Sequence, residues 1–140
     1  MSSNIKFSLI YDNRNHEEEK LKGGWGFSCF IEWKDRKILF DTGGESEAFF
    51  SNCEKLKIPF ELITHLIFSH QHWDHTAGFK EVLNRLGQQT AVYLPKSFSN
   101  KLLKQTQRVN EFKIIDSFFK IDEGIYWKCN KRGAFFLIFC

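Results

Sequence analysis

Three histidines and an aspartate occupy six consecutive positions, His70 to His75, within the stretch FSHQHWDHTAGF at residues 68–79. Imidazole nitrogens and carboxylate oxygens bind zinc well, and they suit manganese or iron too. In extended chain, side chains two residues apart point the same way, so His70 and His72 can offer two imidazoles to one ion. Asp74 and His75 follow where the chain turns toward a helix, and can supply a carboxylate and an imidazole to a second ion. A cluster holding three of the chain's five histidines, placed at a strand-to-helix junction, has the pattern of a metal or catalytic site rather than of scattered imidazoles. His16 and His65 stand in ordinary contexts and are read as non-ligands.

The elements around the cluster follow from hydrophobic periodicity. THLIFSH (64–70) is a short apolar strand that delivers His70 into the cluster. TAGFKEVLNRLG (76–87) places Phe79, Val82, Leu83 and Leu86 at helical spacing, with Gly87 positioned for a left-handed cap. A site between such a strand and helix lies at the strand's carboxyl end, the usual place in an α/β fold.

Upstream, residues 4–11 predict a strand with Ile5, Phe7 and Leu9 on one face. Residues 25–33 and 37–42 predict a hairpin across KDR. SEAFFSNCEKLKI, capped by Ser46, predicts an amphipathic helix that ends before Pro59, with Phe49, Cys53 and Leu56 inward. Downstream, AVYLP (91–95) reads as a strand, SFSNKLLKQTQ as a modest helix, and EFKIIDSFFKI as one or two strands. Ala134 to Phe139 is a wholly apolar terminal run that, as a strand, needs both faces covered.

A length of 140 residues allows one domain and one core. A hydrophobic share of 42% argues for a globular chain rather than a disordered one. The net charge of +3 comes from interspersed residues and makes no case for nucleic acid or a membrane surface. The first residues lack the pattern of a secretory signal, and no run reaches the roughly 20 apolar residues of a membrane span, so the expected location is the cytoplasm. Cys29, Cys53, Cys129 and Cys140 are scattered and expected to be reduced, with Cys29 and Cys53 in the core.

SHQHWDHTAGF resembles the His-x-His-x-Asp-His signature of the metallo-β-lactamase superfamily, and ILFDTGG (38–44) resembles its companion Asp-x-Gly strand end. YDN at 11–13, LKGGWGFSCFIEW and VYLPKSF are further similar to the 7,8-dihydropterin-6-methyl-4-(β-D-ribofuranosyl)aminobenzene-5'-phosphate synthase-like subgroup. The resemblance spans residues 4–126 and implies an αββα sandwich with one or two zinc ions at its edge. It makes His70 and His72 ligands of the first metal, Asp74 and His75 ligands of the second, and Asp41 a carboxylate that orients a ligand histidine. It also implies hydrolysis by a metal-activated water, which Asp74 could orient, on a phosphorylated or pterin-like small molecule. Trp25, Asp12 and Asn13 are pocket candidates by the same resemblance, against plain readings as core aromatic and turn residues. KGGWG is a candidate lid. Which residues bind substrate is unknown.

The family supplies three more ligands after this signature, two of them histidines, and no histidine follows His75. Asp116, Asp122 and Cys129 are the remaining candidates for the third. From Trp127 the resemblance fails, so the chain is read as a single partial domain over 1–140, the N-terminal half of the sandwich with a divergent tail at 127–140. Half a sandwich leaves apolar sheet uncovered, which predicts a homo-oligomer or a complementary chain. The alternative function is therefore a truncated, non-catalytic metal-binding or interaction module that needs a partner to complete its site.

Overall fold

A computed structural model describes residues 4–104, 106, 112–129 and 135–140. The six strands of the larger sheet lie side by side in the order in which the chain makes them: β1 (Ile5–Tyr11), β2 (Ser28–Trp33), β3 (Arg36–Phe40), β4 (His65–Ile67), β5 (Ala91–Pro95) and β6 (Phe112–Ile115). β1, β2 and β3 pair antiparallel, and β3 through β6 pair parallel. The hairpin between β2 and β3 turns at Lys34, whose φ of 54° gives the left-handed twist a two-residue connection needs.

Both faces of this sheet are covered, and the two-residue alternation of its strands sorts them. Phe30, Leu39, Leu66, Val92 and Leu94 pack with Phe49 and Cys53 of α1 (Ser46–Lys55), and with Phe79, Val82 and Leu83 of a later helix, α3 (Phe79–Arg85). Their neighbours Ile31, Ile38, Ile67 and Tyr93 point the other way, onto Ile121, Ile125 and Trp127 of a second sheet. That sheet is the antiparallel set β7 (Phe118–Asp122), β8 (Ile125–Cys129) and β9 (Phe135–Phe139). Helices, six-stranded sheet and three-stranded sheet make three layers, the expected half of an αββα sandwich. Each fully buried aliphatic or aromatic side chain contributes about 1.5–3 kcal/mol, so two such cores carry most of the stability.

EFKIIDSFFKI, expected as one or two strands, is two, in different sheets, because the chain crosses from one layer to the other at Asp116 and Ser117. Several local expectations are corrected. The helix expected over 76–87 is broken at Gly78 into a single turn, α2 (Trp73–Thr76), and α3. Gly87 is no left-handed cap. The chain leaves α3 through an extended Leu86, and a side chain on Gly87 would sit 2.9 Å from the Glu61 carbonyl oxygen. Ser46 opens α1 as its first residue, and the cap position belongs to Glu45. The helix expected at SFSNKLLKQTQ is one turn, α4 (Asn100–Leu103), capped by Ser99. Gln105 and Gln107 lie outside the described residues.

The second layer stops short of β1. Ile5, Phe7 and Leu9 pair with Trp33, Ile31 and Cys29, which puts them on the side of the second sheet. Yet Phe7 is 60% exposed, its ring centroid 6.5 Å from that of Phe139 in an edge-to-face arrangement. β9 is also less enclosed than a wholly apolar strand would require: Ile138 is exposed, while Phe139 packs on Trp33. Ala134 lies outside the described residues. Trp127 and Ile125 are fully buried, so the part of the tail in β8 is built into the core.

A polar contact also joins the layers. Arg36 Nε donates to Asp122 Oδ2 at 2.7 Å, and His65 Nε2 lies 3.3 Å from the same oxygen. The Arg36 hydrogen bond holds the Asp122 carboxyl down at about 2, and burial lowers His65. His65 is stacked on Tyr93, whose hydroxyl donates to the Ile121 carbonyl. His65 is thus engaged with the partly exposed Arg36–Asp122 ion pair that joins the layers. No disulfide joins the four cysteines, and Cys29 and Cys53 are buried as expected. Among the described residues, no helix is long and apolar enough to cross a membrane.

Candidate metal centre

β3 and β4 run parallel, so their carboxyl ends bring Asp41 and the segment Ser69–His75 together. Asp41 is fully buried and holds φ at 54°, a left-handed conformation that aspartate tolerates better than most residues, at a cost of about 1–3 kcal/mol. Its neighbourhood fixes it there. Asp41 N donates to Ile67 O, Thr42 N donates to His75 O, and the Ser28 hydroxyl donates to Asp41 O.

Its carboxylate is surrounded by donors. Oδ1 accepts from the Ser69 amide at 2.8 Å, while Oδ2 accepts from the Ser69 hydroxyl at 2.6 Å and from His75 Nδ1 at 2.7 Å. Burial pushes the Asp41 carboxyl above its ordinary value, and the bonds from His75 and Ser69 pull it back. Three donors on two oxygens fit the carboxylate form and leave no acceptor for an acid proton. Burial pulls His75 down, but the Asp41 hydrogen bond and the charges of Asp41 and Asp74 outweigh it and leave His75 raised. Asp41 is therefore hydrogen-bonded to a histidine of the cluster.

The cluster gathers His70, Asp74 and His75, one donor atom from each lying within 4.8 Å of the others. His75 Nδ1 is occupied by Asp41, so Nε2, 3.8 Å from Asp74 Oδ2, is the nitrogen it could offer an ion. Two ligands of one tetrahedral zinc stand roughly 3.4 Å apart, so these donors would have to draw together to share such an ion. His70 is held at about 4 by burial and then by the neighbouring imidazoles of His75 and His72, which keeps it in the neutral form a metal requires. His72 is the exposed cap residue of α2. Its ring stands 4.4 Å from that of His70 but outside the three-residue group. His70 thus lies close to both His72 and His75, with Asp74 in the same group.

The turn carrying Asp74 is braced by the KGGWG loop. Phe27 N donates to Asp74 O, and Gly26 N donates to Asn13 Oδ1. Gly26 sits at φ 125°, and a side chain there would fall 1.8 Å from the Asp74 carbonyl oxygen. Only glycine permits this approach. Trp25, expected in a strand and, on its plain reading, in the core, is instead 71% exposed on this loop, beside Gly44. Asp12 accepts from Arg14 N and His16 Nε2, and so serves its own turn.

Among the described residues, the remaining ligand candidates do not join this group. Asp122 is committed to Arg36 and His65, at the end of β4 away from His70. Asp116 accepts from Ser117 N, and Cys129 N donates to Ser117 O; both residues lie at the crossing between the sheets. Sequence reasoning missed Ser69 and Thr42. Ser69 was legible as a buried polar residue ending an apolar strand. Thr42, which donates to His75 O and accepts from Gly78 N, gave no comparable signal.

A helix-covered sheet facing a second sheet, with a histidine and aspartate cluster at its carboxyl edge, defines a layered α/β protein with a candidate metal site. The sequence profile of the metallo-β-lactamase superfamily matches residues 25–101, and the chain belongs to that superfamily. It is 28% identical over 130 residues to an uncharacterized protein of Methanocaldococcus jannaschii, covering 84% of this chain and 50% of that one. It is 31% identical over 94 residues to the 7,8-dihydropterin-6-methyl-4-(β-D-ribofuranosyl)-aminobenzene-5'-phosphate synthase of the same organism, covering 64% of this chain and 32% of the relative. Among solved structures, the metallo-β-lactamase fold protein YhfI of Bacillus subtilis superposes with a TM-score of 0.63 at 14% identity, covering 97% of this chain and 57% of that one. A quorum-quenching N-acyl homoserine lactone lactonase superposes with a TM-score of 0.53 at 15% identity, over 74% and 49% of the two chains. The chain spans half the length of the first relative and about a third of the second.

Proposed function

We propose that this chain is a metal-dependent hydrolase domain, zinc being the favoured ion, that acts on a phosphorylated or pterin-like small molecule. The convergence of His70, Asp74 and His75 within 4.8 Å, backed by the buried Asp41 carboxylate, is the observation that carries this reading. A bound divalent ion supplies a water acidified toward neutral pH and an electrophile for the substrate oxygen.

The chain's own residues do the rest. Asp41 holds the His75 ring by Nδ1 and keeps Nε2 available as a ligand. His70, neutral over the working range, offers its nitrogen without first losing a proton. Asp74 is half-buried in the turn braced by Gly26, where its carboxylate can accept a hydrogen bond from an attacking water and orient it. The substrate class rests on the likeness to the dihydropterin-related synthase.

A second reading is favoured by the exposed face of β1: a module that completes its site and its core with a partner chain. Zinc content of the purified protein, with release of p-nitrophenol from p-nitrophenyl phosphate, separates the two. Zinc-dependent turnover that Asp74→Ala abolishes supports the enzyme. Bound zinc without turnover favours the module, and absence of zinc binding in wild type overturns both.

A further inference from the structure

Ser69 stands between the buried carboxylate and the first histidine of the cluster. Its hydroxyl oxygen lies 2.6 Å from Asp41 Oδ2 and 2.8 Å from His70 Nδ1. A hydroxyl has one proton to give. The Asp41 carboxylate can only accept, so the Ser69 O–H bond points at Asp41, and the lone pairs of Ser69 Oγ remain for His70. Nδ1 must then carry the His70 proton and donate it to Ser69, leaving Nε2 as the nitrogen with a lone pair. This is the reverse of the Nε2–H form that a neutral imidazole prefers in water.

We propose that Ser69 is a positioning residue that extends the hold of Asp41 to His70, so that one carboxylate orients two imidazoles, His75 directly and His70 through the serine hydroxyl. The ring centroids of His70 and His75 are 4.3 Å apart, and Asp41 reaches both, bonded to His75 directly and to the Ser69 hydroxyl that contacts His70. The backbone of Ser69 is anchored independently, by its amide bond to Asp41 Oδ1. Removing the hydroxyl therefore deletes the relay and leaves the chain path in place. The importance of the relay for metal binding rests on the reading of His70 as a ligand, but the relay itself belongs to the metal-free protein.

Long-range nitrogen–proton correlation spectra of the imidazoles, recorded on metal-free protein at pH 8, report the tautomer directly. His70 is expected as Nδ1–H in wild type and in Ser69→Thr, and as Nε2–H in Ser69→Ala, with His75 remaining Nδ1–H in all three. Zinc affinity, measured by competition with a chromogenic chelator, is expected to fall about 10–100-fold in Ser69→Ala and to be retained in Ser69→Thr. An unchanged His70 tautomer in Ser69→Ala overturns the proposal whatever the zinc affinity. A tautomer change in a protein that binds no zinc upholds the relay and sinks the metal reading instead. Should Ser69→Ala fail to fold, Ser69→Cys, nearly the same size and a weak donor, carries the same test with the same two outcomes.

Discussion

Asp41 and His75, 34 positions apart in sequence, meet through a 2.7 Å hydrogen bond from Nδ1 to a carboxylate oxygen that water does not reach. The parallel pairing of β3 with β4 brings them together, and the bond sets which imidazole nitrogen His75 can offer. Asp41→Asn keeps the shape but replaces one acceptor oxygen with a donor. Zinc affinity should drop about 10–100-fold, and the buried mismatch should cost about 1–3 kcal/mol of stability. Chelator competition and urea denaturation measure the two effects, and unchanged affinity would remove Asp41 from the site.

His70→Ala and Asp74→Ala should each reduce bound zinc below the wild-type stoichiometry, as read by elemental analysis of dialysed protein. His72→Ala is informative in another way. If the grouping of His70, Asp74 and His75 is the first site to fill, His72→Ala retains more metal than either of the others.

Gly26→Ala should damage the cluster from outside it. A methyl group 1.8 Å from the Asp74 carbonyl oxygen, at a φ of 125°, forces the ligand turn to shift. Loss of zinc affinity together with a lowered melting temperature is expected. Trp25→Ala, which removes an exposed ring from the next position, should leave stability within about 0.5 kcal/mol.

The interlayer pair gives a pH dependence of definite sign. Asp122 is held at about 2 in the folded chain by the Arg36 hydrogen bond, below its ordinary value of 3.8. The unfolded chain therefore takes up the proton first, and the stabilisation present above pH 3.8 is lost as pH falls toward about 2. Because Asp122 is partly exposed, solvent screening limits the contribution to about 1 kcal/mol. Denaturation midpoints of Asp122→Asn should lie below wild type at pH 7 and converge on it near pH 2. A constant difference across that range would show that the charge plays no part.

Ile5, Phe7 and Leu9 leave an apolar stripe open on the side where the second sheet would extend. Concentration-dependent association is expected in light scattering, and Phe7→Lys should suppress it. A monodisperse wild-type monomer at working concentrations would count against a partner on this face.

The ligand-bearing residues were legible because chemistry compresses them into one short motif, and the strands were legible because alternation and apolar runs survive in the sequence. The break at Gly78 was not, since periodicity alone joins Thr76 to Phe79 and misses the Phe49 ring 3.0 Å from where a Gly78 side chain would begin. Ile5, Phe7 and Leu9 were correctly placed on one face, but no local pattern tells whether a second layer extends far enough to cover that face. The approach of His70 to Asp74 and His75 depends on how a single helical turn is seated against Asp41. That is a tertiary fact, written in Gly26, Thr42 and Ser69 rather than in the spacing of the ligands.

The strand order of the six-stranded sheet follows the order of synthesis from β1 to β6. A nascent chain can therefore add each strand to the edge of what is already built, with no later segment inserted between earlier neighbours. Asp41, Ser69, His70, Asp74 and His75 are all present once α2 has been made, so a metal ion could be captured by a growing polypeptide before the three-stranded layer exists to cover the other face.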